Sequence, residues 1–273
     1  MPRMKSPAHR KMLTLEVVRT EWVSPSFVYV TLGGEALAEF EPMGFDQFVR
    51  LFFMREGQRV LRMLTLANNA WYAQYLFVSK ERRPWVRNYT VRAVRTTGRG
   101  GVPRPCELDI EFAVHGSGTP AMSWLDRVQP GDAVGIFTEG VSYLPPAEAE
   151  WQLLAGDESA LPAILAILEQ SPASLQAEVY VEVPCRADIR DVSAPCGVKV
   201  HWLSREGSGA TAGQLVLDAI RNAELPAGPS YSWIAGESAL ATQLRKHLAD
   251  DRGVSKSDIT CMTYWRNGKA SPG

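Results

Sequence analysis

WQLLAGDESALPAILAILEQ, residues 151–170, reads as a short strand, WQLLAG, that runs into a helix, LPAILAILEQ, through Asp157, Glu158 and Ser159. The same succession continues toward the carboxyl end. AEVYVEV and VKVHWLS read as strands, AGQLVLDAIRNA as a helix, YSWIAG as a strand, ALATQLRKHLADD as a helix and DITCMTYW as a strand. Strands that alternate with helices predict a parallel sheet carrying helices on its faces.

The first half has a different rhythm. MLTLEVVRTEWV, SFVYVTL, QFVRLFFM, NYTVRAV, CELDIEFAVH and DAVGIFT are short, rich in Val, Phe, Tyr and Thr, and separated by turns. Short strands at this spacing predict an antiparallel barrel. One helix-like piece, TPAMSWLDRV, interrupts them ahead of the turn QPGD. Composition changes at YLPPAEAE, residues 143–150, the predicted linker. The expected organisation is an N-terminal antiparallel β-barrel domain over 1–145 and a doubly wound parallel-sheet α/β domain over 146–273.

The chain has 273 residues, 45% hydrophobic, enough for a packed core. Its net charge of −1 argues neither for nor against nucleic acid. No apolar run reaches the about 20 residues of a membrane span, and the basic start MPRMKSPAHRKML lacks the apolar stretch of a signal peptide. The expectation is a cytoplasmic monomer with no nucleic acid and no membrane among its partners. Cys106, Cys185, Cys196 and Cys261 form no CxxC pattern, so reduced thiols are expected and no metal site.

Four stretches carry residues suited to chemistry. VRNYTVR, residues 86–92, sets Arg87, Tyr89 and Val91 on one face of a strand and Asn88, Thr90 and Arg92 on the other. Arg87 suits a phosphate because a guanidinium binds two oxygens at once. Tyr89 offers a flat face with a polar tip, and Thr90 a hydroxyl. The three suit a flavin nucleotide; an ordinary strand with Tyr in the core and Arg in solvent fits them too. In HGSGTPAMSWL, residues 115–125, a strand ends at His115, Gly116 and Gly118 open a loop, and Thr119 and Pro120 take the cap and first position of a helix. Backbone N–H groups there attract phosphate, though a plain capped helix has the same residues.

LLAGDESALPAI, residues 153–164, and WIAGESALATQL, residues 233–244, each end a strand in Gly, an acid and Ser before a helix. Ligands of open parallel sheets bind at such strand ends. Gly156 through Ser159 and Gly236 through Ser238 therefore suit a nicotinamide nucleotide, and helix capping by the same residues is compatible with that. No complete GxGxxG occurs. KERRPWVRNYTVRAVR, residues 80–95, holds Lys80, Arg82, Arg83, Arg87, Arg92 and Arg95 against Glu81, which suits an anionic ligand or a solvated face. Arg186 and Arg190 follow a strand where a 2′-phosphate is read, but Asp188 and Asp191 accompany them, so the donor is NADPH or NADH.

Taken in order, RNYTVR, HGSGTPAMSWL…PGD, LLAGDESALPAI and WIAGESALATQLRKHLADDRG…YWRNG resemble the siderophore-interacting protein family over about residues 12–268. That family consists of FAD-dependent ferric-siderophore reductases built like ferredoxin reductases. The resemblance implies that Arg87, Tyr89 and Thr90 line FAD, with Tyr89 near the ring and Thr90 at its polar edge. It implies an adenine–diphosphate end at His115, Gly116, Pro120 and Ala121, with Ser123 substituting for a usual Ser at Met122. It puts Asp157, Glu158 and Ser159 near the flavin at the domain interface, and Gly236 and Glu237 on the nicotinamide side. Tyr264, Trp265 and Arg266 would close the site, and Arg266, Arg82 and Arg83 would attract an anionic ferric siderophore.

The implied activity passes electrons from NADPH or NADH through FAD to siderophore-bound ferric iron, with no side chain acting as acid or base. A general flavin reductase with a protein or quinone acceptor, or a flavin- or siderophore-binding module without turnover, are the alternatives. Two further departures stand out. Glu139 in TEG, residues 138–140, replaces a Gly-Pro-Gly-like turn and would discourage an anion. TTGRGGVPRP, residues 96–105, is longer than a tight hairpin and reads as a flap or a tolerated loop.

Overall fold

A computed structural model of the chain describes residues 3–97, 104–114 and 118–269. The first part contains β1 (Met12–Ser24), β2 (Phe27–Gly33), β3 (Phe48–Phe53), α1 (Trp71–Phe77), β4 (Trp85–Thr97), β5 (Arg104–Ala113), α2 (Pro120–Leu125) and β6 (Ala133–Thr138). Its strands pair antiparallel and close into a barrel in the order β1-β2-β5-β4-β3-β6. Alternate residues fill it: Leu13, Leu15 and Val17; Val28, Val30 and Leu32; Val49, Leu51 and Phe53; Leu108, Ile110 and Phe112; Val134 and Ile136. This period of two is the one the sequence shows. Trp124 of α2 packs into the same cluster.

α1 is an element the sequence reading does not contain. It lies in the long connection between β3 and β4, and its seven residues, WYAQYLF, are too few to display a helical period.

The second part contains β7 (Trp151–Gly156), α3 (Leu161–Gln170), β8 (Gln176–Val183), β9 (Gly197–Ser204), α4 (Gln214–Asn222), β10 (Ser230–Glu237), α5 (Ser238–Asp250) and β11 (Ile259–Trp265). All five strands run parallel in the order β11-β10-β7-β8-β9. Buried side chains of α3 pack on one face, those of α4 and α5 on the other. The sheet is thus doubly wound, and its order reverses between β7 and β10, the switch point at which such sheets bind ligands. One crossover has no α-helix: β8 reaches β9 through a 3₁₀ turn at Arg186–Asp188.

The two parts share apolar and polar contacts. Phe27 of β2 and Tyr143 join the apolar cluster of α3, Tyr231 and Trp233. Asp46, buried just ahead of β3, accepts from the Ser142 and Tyr143 N–H groups at 3.0 and 2.9 Å and from Trp233 Nε1 at 3.0 Å. Arg92 of β4 binds Glu169 of α3 through two hydrogen bonds of 2.6 and 2.5 Å. Arg190 pairs with Glu111 of β5. Asp188 accepts from Ser24 Oγ at 2.7 Å and Ser26 N at 3.0 Å. Of the 96–105 insert, residues 98–103 lie outside the described residues.

Candidate functional site

The carboxyl ends of β7, β10 and β11 converge on one buried carboxylate. Asp157 Oδ1 accepts from Ser159 N at 2.9 Å and Ser159 Oγ at 2.5 Å; Oδ2 accepts from Glu237 N at 2.6 Å and Trp265 Nε1 at 3.0 Å. Gly236 makes this approach possible. Its φ is +136°, and a Cβ there would lie 2.7 Å from Asp157 Cγ. Burial first, then the neighbouring Glu158 carboxylate, push Asp157 up to about 6 against the opposing hydrogen bonds from Ser159 and Glu237. The structure therefore brings together Asp157, Ser159, Gly236, Glu237 and Trp265. Glu237 Oε1 also accepts from Asn267 N at 3.1 Å, and its Oε2 caps α5 at Ala239 N. Beside this cluster, Gly213, Leu240, Glu237, Trp265 and Asn267 line a hollow of about 160 Å³.

Glu158 has a different setting. Arg205 donates to it twice, at 2.6 and 2.5 Å, and to Glu182 at 2.5 Å. Glu182 in turn accepts from Gly213 N at 2.7 Å and Leu215 N at 2.9 Å, where it caps α4.

On the barrel, the register pairs Arg87 with Leu51 and Tyr89 with Val49, so both share the face that lines the interior. The Tyr89 ring centre lies 4.1 Å from that of Phe112, and burial holds its hydroxyl pKa well above the usual range. Arg87 is half-buried. It donates to the Val86 carbonyl at 2.6 Å, and its guanidinium lies 5.3 Å from the Trp85 ring centre. Burial lowers its pKa, and no carboxylate pairs with it among the described residues. A half-buried cation without a carboxylate fits a diphosphate group. Thr90 faces outward and hydrogen-bonds Tyr264. Burial, then Asp46, raise the Tyr264 pKa. Consecutive residues of β11 thus reach both parts of the molecule: Tyr264 binds the barrel strand and Trp265 the switch-point carboxylate.

The remaining candidates are more dispersed. Pro120 opens α2, and Thr119 Oγ1 caps it by accepting from Met122 N at 3.3 Å. Ala121 packs against the barrel core, Ser123 is half-buried, and His115 and Gly116 lie outside the described residues. Arg266 is exposed and donates to Ser238 Oγ at 3.3 Å. Arg82 is exposed, whereas Arg83 donates to the Leu76 and Val78 carbonyls at 2.6 and 3.0 Å and so caps α1. Glu139 carries less free charge than its position in the sequence suggests, because Arg50 at 2.8 Å and Arg10 at 3.5 Å pair with it. Arg186 and Arg190 do not act as a pair: Arg186 is exposed, but Arg190 is bound to Glu111 across the seam, and Asp188 is buried there rather than facing a ligand.

Sequence reading missed Trp85 and Arg55, whose guanidinium lies 3.7 Å from the Trp85 ring centre. The alternation Trp85, Arg87, Tyr89 on one face was a usable signal for Trp85. Asp46, Glu182 and Arg205 had no such signal, because their partners are remote in sequence.

Comparison with known proteins agrees with this geometry. A family model described as siderophore-interacting FAD-binding domain matches residues 16–143, and one described as siderophore-interacting protein matches residues 149–268. The ferric vibriobactin reductase ViuB of Vibrio cholerae is 31% identical over 257 residues, 93% of this chain and 89% of the relative. An NADPH-dependent ferric-chelate reductase of Escherichia coli is 27% identical over 92% of this chain and 91% of its own length. The crystal structure of a siderophore utilization protein from T. fusca superposes with a TM-score of 0.78 at 30% identity, covering 99% of this chain and 98% of that one. A barrel that fits FAD, a doubly wound sheet joined to it through β11, and relatives matched nearly end to end place the chain in the siderophore-interacting protein family.

Proposed function

We propose that the chain is an oxidoreductase that takes electrons from NADPH or NADH and delivers them, through FAD, to ferric iron held by a siderophore. It works in the cytoplasm as a monomer, with the barrel, residues 1–145, holding FAD and residues 146–273 receiving the nicotinamide donor. The observation that carries this reading is Arg87: half-buried, without a carboxylate partner among the described residues, on the strand that Thr90 and Tyr264 join to the switch-point side of the sheet. Bound FAD supplies the link between a two-electron donor and a one-electron acceptor. Arg87 holds the diphosphate, Tyr89 lies near the ring and Thr90 offers its hydroxyl at the polar edge. His115, Gly116, Pro120, Ala121 and Ser123 receive the adenine–diphosphate end. Asp157 and Ser159 fix the ends of β7 and β10, Glu158 braces the loop between them through Arg205, and Gly236 and Glu237 shape the nicotinamide entry. Tyr264 and Trp265 exclude water, and Arg266 with Arg82 attracts an anionic chelate; Arg83 serves α1. The iron is substrate, and its hard oxygen ligands hold the ferric state more tightly than the ferrous, so reduction releases it.

Absorbance spectroscopy tests the proposal. The purified protein shows a flavin spectrum, NADPH under argon bleaches it, and a ferric siderophore restores it. A colourless protein overturns the flavin assignment. Bleaching without recovery on adding the ferric siderophore leaves a general flavin reductase in its place.

A further inference from the structure

Apart from Gln74, whose side chain is bound to Thr65 and Leu66, α1 consists of apolar and aromatic residues. Trp71 and Tyr75 turn inward against Phe52, Leu64, Val86 and Phe137. Tyr72, Ala73, Leu76 and Phe77 turn outward, and Tyr72, Leu76 and Phe77 are 41%, 50% and 90% exposed. A helix at the surface of a globular protein ordinarily keeps a polar face toward water. Val60, 71% exposed, and Leu66, 39% exposed, are further exposed apolar side chains of the same β3–β4 connection, residues 54–84. That connection is one built unit. Gln74 Oε1 accepts from Thr65 N at 3.1 Å and Leu66 N at 3.0 Å, and Gln58 Nε2 donates to the Glu81 and Arg83 carbonyls at 2.8 and 3.2 Å.

Its charge is one-sided. Arg55, Arg59, Arg62, Lys80, Arg82 and Arg83 stand against Glu56 and Glu81, in a chain whose net charge is −1. Arg59, Arg62, Lys80 and Arg82 are exposed. A second copy of this chain is a poor cover for such a face, because a twofold interface sets a patch against itself and would oppose these cations to one another. Exposed apolar side chains on a connection that also carries exposed cations match the boundary between acyl chains and anionic headgroups.

We propose that the 54–84 connection docks on an anionic lipid bilayer, with Leu76 and Phe77 entering the headgroup boundary and Arg59, Arg62 and Lys80 meeting lipid phosphates. This revises the expectation that no membrane takes part. Surface docking needs no spanning segment, and none of the described helices is long and apolar enough to cross a membrane. Neither the apolar nor the charged contribution suffices alone, so binding is reversible and salt-sensitive.

Vesicle flotation of the full chain tests this, with phosphatidylcholine alone and phosphatidylcholine mixed with phosphatidylglycerol, each at low and high salt. The protein floats with the mixed vesicles at low salt and not with the neutral ones. Leu76→Ser with Phe77→Ser weakens partition about ten-fold or more, since two exposed apolar side chains no longer insert. Arg62→Glu with Lys80→Glu abolishes the preference for anionic lipid. Both variants keep the native melting temperature, because the altered side chains are exposed. Failure to float with either vesicle overturns the proposal. Flotation that survives loss of Leu76 and Phe77 overturns it too, as does a dimer that forms through Phe77 in sedimentation without lipid.

Discussion

At the scale of single residues, Arg87 is a half-buried cation with no carboxylate partner among the described residues, and Asp157 is a buried acid with four donors. With Arg87 in its proposed place on the diphosphate, Arg87→Ala would remove a charge-assisted hydrogen bond of about 1.5–3 kcal/mol. FAD affinity, measured by titration of the apo chain, falls about ten-fold or more, while the melting temperature of the apo chain changes little. Full flavin content in the purified variant would refute the role given to Arg87. Asp157 makes a pH-dependent prediction. Its folded pKa of about 6 lies above its ordinary 3.8. Between those values the folded chain holds a proton that the unfolded chain has released, so the stability from this group is complete below pH 4 and declines as pH rises through 6. Denaturant unfolding of wild type and Asp157→Asn at pH 4 and pH 7 isolates it. Wild type loses on the order of 2–3 kcal/mol relative to the variant over that interval. An interval without change in the difference would contradict the raised pKa.

At the scale of elements, the barrel strands were legible because alternate residues point inward, as in LTLEV and FVYVTL. The βα alternation of residues 151–265 was legible because each helix is long enough to show its period. α1 was not, for the opposite reason. The switch-point cluster was half legible. Gly-acid-Ser after β7 and β10 marked the place, but nothing local told Asp157 from Glu158, whose fates diverge toward Trp265 and Arg205. The connection from β8 to β9 is the instructive failure. Its two arginines look equivalent in the sequence, and only the fold assigns Arg190 to Glu111. Arg186→Ala is therefore expected to raise the KM for NADPH several-fold and leave that for NADH nearly unchanged. Arg190→Ala lowers thermal stability instead and shows no preference between donors. Steady-state kinetics with both donors decides it, and equal effects of Arg186→Ala on the two would remove it from the 2′-phosphate.

At the scale of the whole molecule, barrel and sheet are joined by polar pairs across their seam, some buried and some at its edge. Asp46 to Trp233, Arg92 to Glu169, Thr90 to Tyr264 and Glu111 to Arg190 are each remote in sequence, which is why none was foreseen. Removing one member leaves the other uncompensated. Glu111→Gln leaves Arg190 without its anion and costs about 3–5 kcal/mol. Calorimetry of the native chain is expected to show one transition for both parts, and that of Glu111→Gln a lower and broader one. Two separate transitions in the native chain would mean that the seam does not couple them.

Trp233 and Asp46 also bear on how such proteins diversify. A barrel moved onto a foreign nucleotide-binding sheet would carry a buried aspartate whose indole donor stayed behind, and the borrowed sheet would arrive with an unanswered tryptophan or none. Recombination between relatives therefore succeeds only where the exchanged halves agree at these few seam positions, however well their strands and loops align. A breakpoint in the Pro-Pro connection after Tyr143 leaves the chain intact and the seam mismatched, so compatible shuffling partners are recognised by residues 46, 90, 92 and 111 on one side and 169, 190, 233 and 264 on the other.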